Sequence, residues 1–366
     1  MSLHQNQNQA QTQAQTQAQT QAQTQDQTQA QTQAQAQDQN QNQAQAQDQA
    51  HEHGPYARPA PYISEFNRPI VEEFRANGGR VGGPFAGGDL LLLTTVGAKS
   101  GREQTSPLGY VRVGDRLLVV ASAGGSPRHP AWYHNLLRHP MVQVEIGTET
   151  FGAIAVPAEG AERDRLFKEI VRVAPGYGDY QARVERRLPV VALERSFTEA
   201  GPEEITNLAD KLIEIHRWLR DQLRRVRAEA DAHFAARSAA TGTDAEAADP
   251  PRVGLGLQLR QHCLAFCESL QFHHMGEDAQ MLPEMERRHP HLREAIERLR
   301  AEHRTVDRIR GELERLLADI TTADPDRFRA ELDRMAVELE AHLDFEEESL
   351  IPVLAAIPFP PGPPAA

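Results

Sequence analysis

HHMGEDAQMLP at 273–283 and HLDFEEESLIP at 342–352 decide the fold of the second half of the chain. Each stretch opens on a histidine and carries a glutamate at i+4, His273 with Glu277 and His342 with Glu346, and each ends on a proline, Pro283 and Pro352. Four residues along an α-helix return to within about 40° of the same face, so each pair projects from one side of a helix. Working outward, 203–236, 254–288, 291–320 and 325–355 are four long segments with apolar residues at helical spacing. Leu292, Ile296, Leu299, Val306, Leu313 and Leu317 step along the third, and Leu332, Met335, Leu339 and Val353 along the fourth. Short connections between the last three segments make them antiparallel neighbours. The expectation is an all-α, up-down four-helix bundle over 200–357.

The apolar stripes are interrupted in a particular way. His303 falls four after Leu299 and three before Val306. His342 follows Leu339, and His216 stands between Leu212 and Leu219. Each helix therefore turns one histidine inward, and two of them add a glutamate. Buried carboxylates are costly unless paired or bound to a metal. Imidazole with carboxylate and no thiolate favours iron or manganese over structural zinc. Six side chains exceed the needs of one ion with an open position and suit two ions bridged by the glutamates and a solvent-derived oxygen.

These motifs resemble those of hemerythrin-like HHE cation-binding domains. The resemblance implies a non-haem di-iron site, acting on or sensing O2, peroxide or NO, with ligands His216, His273, Glu277, His303, His342 and Glu346. Two departures stand out. Oxygen-carrying hemerythrins place a further histidine where this chain has Leu299 or Asp307, and their last carboxylate would fall on Glu347. Helix geometry favours Glu346, with Glu347 left open. Fewer histidines shift the expectation from reversible oxygen carriage towards peroxide or nitric oxide chemistry or iron sensing. His262, eleven residues before His273, and His274, about 100° round the helix from it, read as bystanders. Asp278 reads either as a hydrogen-bonding partner behind a ligand or as a solvated acid.

Residues 56–199 have another texture. Strands are predicted at Leu90–Val96, Leu108–Val113, Arg116–Ala121, Met141–Glu145, Phe151–Pro157 and Pro189–Glu194. Helices are predicted at Ile63–Asn77, Ala131–Arg138, Ala161–Val173 and Tyr180–Arg187. Consecutive strands with short turns imply an α+β domain with an antiparallel sheet or barrel. Two polar turns follow buried strands: Gly97–Arg102, whose Lys and Arg suit a phosphate, and Ser122–Pro127, whose backbone could approach a flat ring.

Taken together, LLLLTTVGAKSG, VVASAGGSPRHPAWYHNL, HPMVQVEIG, APGYGDYQ and LPVVALE resemble the deazaflavin-dependent nitroreductase family. The resemblance implies a flavin-reductase-like split β-barrel that binds coenzyme F-420 and passes its hydride to quinone or nitroaromatic acceptors. It places Lys99 at the cofactor phosphates, with Arg102 substituting for an arginine at the position of Gln104. Ser122, Gly124 and Gly125 would lie beside the ring, Trp132 and Asn135 against the cofactor, and Tyr177 and Tyr180 on the substrate side. Ala98, Ala123 and Ala174 depart from the family's usual residues. In such a site the cofactor carries the hydride, while the protein orients it and excludes water. A second reading keeps deazaflavin binding without turnover, the whole chain acting as an iron or oxygen sensor.

The rest of the sequence narrows the setting. A formal net charge of −13 argues against nucleic-acid binding. The absence of a long apolar run or an N-terminal signal pattern predicts a cytoplasmic protein with no transmembrane span. The amphipathic stretch 63–77 predicts a helix packed on the barrel, with peripheral contact to a membrane surface as the alternative. Cys263 and Cys267 read as reduced core residues rather than a redox pair. Residues 1–55, a Gln-rich low-complexity tract, and 358–366, a Pro-rich tail, are predicted to be disordered.

Overall fold

The computed structural model describes residues 60–196, 205–241, 255–318 and 323–358. The expectations for the Gln-rich tract and for 359–366 lie outside the described residues.

Six antiparallel strands close a barrel in the order β1-β2-β3-β6-β5-β4: β1 Leu90–Val96, β2 Glu103–Val113, β3 Arg116–Val120, β4 Met141–Ile146, β5 Glu149–Pro157 and β6 Val190–Arg195. The run Leu90-Leu91-Leu92-Leu93 shows why β1 is apolar on both faces. Leu91 and Leu93 point into the barrel with Val119, Val144 and Val191, whereas Leu90 and Leu92 lie outside beneath α1 (Arg68–Ala76), against Val71 and Phe74. The amphipathic stretch thus packs on the barrel, and its helix is shorter than predicted, with a proline in its first turn. β2 begins five residues earlier than its hydrophobicity suggests. Its polar start is buried, Thr105 bonding Thr94 through their hydroxyls at 2.7 Å, and Tyr62 pairs with its outer edge.

Three further helices complete this half: α2 Ala131–Arg138, α3 Gly160–Val173 and α4 Gly176–Ala182. The α4 helix replaces the one predicted at Tyr180–Arg187. Pro175 sets its start, and the Gln181 side chain ends it by donating to Arg186 O and accepting from Leu188 N.

The second half is helical: α5 Leu208–Thr241, α6 Leu255–Gly276, α7 Leu282–Arg288, α8 Arg293–Leu317 and α9 Pro325–Leu354. A π-turn, Glu277–Met281, joins α6 to α7 without a break. Pro283 lacks the N–H that would bond the carbonyl of Ala279, and the wider turn accommodates that loss. Pro352, its counterpart, lies within α9, which runs on to Leu354.

Residues 261–267 of α6 are all buried, because α6 is enclosed on two sides. One side faces the bundle core of Leu219, Leu223, Val306, Leu332 and Leu339, with Cys263 and Cys267 buried in it. The other faces β5, whose Ile154 and Val156 belong to that same core. Pro140 has no N–H, so the carbonyl of Leu136 in α2 lacks its helical donor. Gln261 Nε2 supplies one at 2.8 Å and also reaches Ala155 O at 3.1 Å. Arg260 caps Leu137 O at 2.7 Å in the same manner. His262, fully buried, lies between Glu229 of α5 at 2.7 Å and Glu194 of β6 at 3.2 Å, with Arg225 also on Glu194.

Candidate metal centre and cofactor site

Two groups of ligating atoms lie inside the bundle: His216, His273, Glu277 and Glu346 in one, His274, His303 and His342 in the other. Within each, the atoms are all within 4.8 Å of one another. The carboxylates face both groups. Glu277 Oε1 is 3.1 Å from His273 Nε2, and its Oε2 is 3.4 Å from His303 Nε2. Glu346 Oε2 is 3.4 Å from His216 Nε2 and 3.7 Å from His342 Nε2.

The outer partners define which ring atom faces inward. His216 Nδ1 meets Glu347 at 2.8 Å, His303 Nδ1 meets Asp278 at 3.0 Å, and His342 Nδ1 meets Glu302 at 3.0 Å. Each carboxylate accepts a hydrogen bond from Nδ1–H and so leaves the Nε2 lone pair pointing into the site, as ligating histidines require. Glu347 is therefore engaged behind His216, where Arg220 also holds it at 2.7 Å, and Glu346 is the carboxylate that turns inward. Asp278 likewise stands behind a ligand.

The site fits cations and little else. Nε2 of His274, His303 and His342, and both oxygens of Glu277 and Glu346, are buried without a hydrogen-bond partner. The Nε2 atoms of His216 and His273 meet at 3.1 Å. Burial drives His273 down to about 3, the surrounding imidazoles reinforcing this against the pull of Glu346. His274 is held well below the usual range by burial and by His303 and His273. Burial and the neighbouring Glu346 push Glu277 far above the usual carboxylate range. Glu346 overcomes its own burial through the neighbouring His216, with His273 and His342 adding to it, and is lowered to about 2. Imidazoles around paired carboxylates form a donor set for divalent ions.

His274 corrects the sequence reading. It is buried, not a bystander, and its ring stacks on His303 at 4.1 Å. The two adjacent histidines meet different helices: His273 packs against His216 of α5, and His274 against His303 of α8 and His342 of α9. His262 remains apart from the ligating groups and serves the contact with β6 instead.

In the barrel, the structure brings the second polar turn against α4. Ala123, Gly124 and Gly125 have φ of 49°, 63° and 84° in succession, and Gly125 lies beside Tyr180 and Arg183. Tyr177 and Tyr180 meet edge to face at 6.1 Å, and Tyr177 donates to Gly109 O at 3.3 Å. Burial raises the Tyr177 hydroxyl, with Tyr180 adding to it. Ser122 is half-buried at the start of the turn. Lys99 is exposed on the turn between β1 and β2, and Arg102 closes that turn by accepting from Gly97 N at 2.8 Å. Trp132 is buried in the barrel core. Asn135 Oδ1 accepts from Ala98 N at 3.0 Å and its Nδ2 donates to Thr95 at 3.1 Å, so it braces the start of the Gly97–Arg102 turn. Arg186, not singled out from the sequence, binds Ala121 O, Ser122 O and Ser126 O at 2.9–3.1 Å.

Residues 66–195 match the family model for F420H(2)-dependent quinone reductase, and residues 207–354 match that for the hemerythrin HHE cation binding domain. An "F420H(2)-dependent quinone reductase" of Mycobacterium tuberculosis is 42% identical over 126 residues, covering 33% of this chain and 85% of the relative. The chain belongs to the F420H(2)-dependent quinone reductase family. Its second half is a hemerythrin HHE domain. A putative quinone reductase of the same kind from Mycobacterium bovis shows the same identity and coverage. Among solved structures, "Structure of F420-H2 Dependent Reductase (FDR-A)" is 38% identical, covering 29% of this chain and 94% of that chain, with a TM-score of 0.27. Among the described residues no helix is long and apolar enough to cross a membrane.

Proposed function

We propose that the barrel is an F-420-dependent oxidoreductase acting on quinone-type acceptors, nitroaromatic compounds being the alternative substrates, and that the bundle holds two iron ions and acts on or senses O2, peroxide or NO. The cofactor supplies the hydride when bound. Lys99 and Arg102 would meet its phosphates, and Ser122, Gly124 and Gly125 its ring, with Trp132 behind them. Tyr180 lies beside that turn, with Tyr177 packed edge to face against it. A Tyr hydroxyl kept protonated by burial can donate to the oxygen that gains charge as a quinone is reduced.

For the bundle, the supporting observation is the set of seven buried nitrogen and oxygen atoms without hydrogen-bond partners, all in one place. His216 and His273 would hold one ion and His274, His303 and His342 the other, with Glu277 and Glu346 between them. The two positions would be inequivalent, two imidazoles serving one and three the other. A bound pair would supply Lewis-acid and redox chemistry. With His274 counted, the histidine shortfall that disfavoured oxygen binding disappears.

The test is anaerobic mixing of the full chain with reduced F-420 and menadione. Catalytic oxidation of the cofactor supports the reductase. Tight binding without turnover would return the sensor reading, and no binding would remove the barrel's assignment.

A further inference from the structure

Arg186 lies outside every motif that pointed to a cofactor, yet its guanidinium bonds three carbonyls of the 121–126 turn. Its Nε donates to Ser126 O at 2.9 Å, its Nη1 to Ala121 O at 3.1 Å and its Nη2 to Ser122 O at 2.9 Å. Nη1 also lies 3.1 Å from His129 Nδ1. A guanidinium presents its donors in a rigid planar fork, which an ammonium cannot reproduce. The turn it grips is unusual in backbone. Among the described residues Ala123 is the sole non-glycine with positive φ, at 49°, and the two glycines after it continue the left-handed path. A side chain in that region is disfavoured and persists only where its surroundings over-determine it.

The consequence concerns the other side of the turn. Gly125 N bonds Ser122 O and Ser126 N bonds Ala123 O, each at 3.0 Å. The amides of Ala123 and Gly124 take no part in these bonds. Successive left-handed residues orient neighbouring N–H groups towards a common acceptor. We propose that Arg186 is a positioning residue for the cofactor: it fixes the carbonyl side of the turn so that the Ala123 and Gly124 N–H groups are presented to an acceptor on the edge of the deazaflavin ring. Arg186 itself does not touch the cofactor. The inference rests on the reading of the barrel as an F-420 site.

The experiment uses the full chain. F-420 affinity is measured by fluorescence titration, and quinone reduction is followed at saturating cofactor. In Arg186→Lys, which keeps the charge and loses the fork, Kd rises about tenfold or more, as expected for losing charge-assisted bonds. kcat at saturation stays within about threefold. Guanidinium ion added to Arg186→Ala restores part of the affinity, which a loss of general stability would not allow. In the wild type, binding of F-420 slows hydrogen exchange at the Ala123 and Gly124 amides, a readout that does not depend on any variant folding. Unchanged Kd in Arg186→Lys, or unchanged exchange at both amides on binding, overturns the proposal. Failure of the wild type to bind F-420 would refute the cofactor reading itself, which is a separate result.

Discussion

Gln261→Met removes an amide that holds two halves of the molecule together, and the structure sets the size of the effect. Gln261 is fully buried and donates to Leu136 O and Ala155 O. Methionine fills similar space but offers no donor. A buried acceptor left unsatisfied costs about 1–3 kcal/mol. Leu136 O has no fallback, because the residue four further on is Pro140. Ala155 O lies at the longer distance and contributes less. The sum is about 2–4 kcal/mol, which for a chain of this length corresponds to a Tm lowered by about 3–7 °C. Thermal unfolding of the full chain, wild type against variant at equal metal content, measures it. A Tm within about 2 °C of wild type would refute the reasoning, because it would mean that these carbonyls find other donors or are not buried.

Three other outcomes follow from the geometry. Bonds from Glu194 and Glu229 outweigh the burial of His262 and raise it above its usual 6.5. Its stabilising contribution is therefore complete below about 6.5 and lost as pH rises through the higher folded value, while Glu194, lowered to about 2, contributes until strong acid. Between pH 6 and 9 the wild type should lose more Tm than His262→Gln; equal losses would contradict this. Asp278→Asn, which weakens the partner behind His303, should lower metal affinity by about 10–100-fold in a competition with a chelator, and unchanged affinity would show that Asp278 is merely solvated. Tyr177→Phe should lower kcat for quinone reduction by about 10-fold or more with F-420 affinity unchanged, and an unaltered kcat would remove its hydroxyl from the reaction.

Much of this was legible because it depends on local periodicity. The alternation within Leu90–Val96 and the three-four spacing around His303 each specify which face is buried, so the strands and bundle helices could be read directly. His342 with Glu346 is visible for the same reason. What the sequence hides is what depends on a neighbour. The polar start of β2 is buried by β1 and Tyr62, which no local pattern announces. His274 turns inward because α8 and α9 bring His303 and His342 against it while α5 brings His216 to His273, so a single-face reading of that helix discards it. Asn135 matches a cofactor motif, and its bonds to Thr95 and Ala98, some forty residues away in the chain, arise only once the barrel has formed. Arg186 reaches a turn some sixty residues earlier in the chain, a contact that only the closed barrel creates.

Metal analysis of the full chain tests the central claim most directly. After anaerobic loading with iron and removal of unbound metal, the chain should retain two ions and melt at a higher temperature than the chelated protein, since a ligand bound to the folded state stabilises it. His274→Ala should retain fewer. A folded wild-type chain that keeps no iron, with Tm unchanged by loading, would contradict the account.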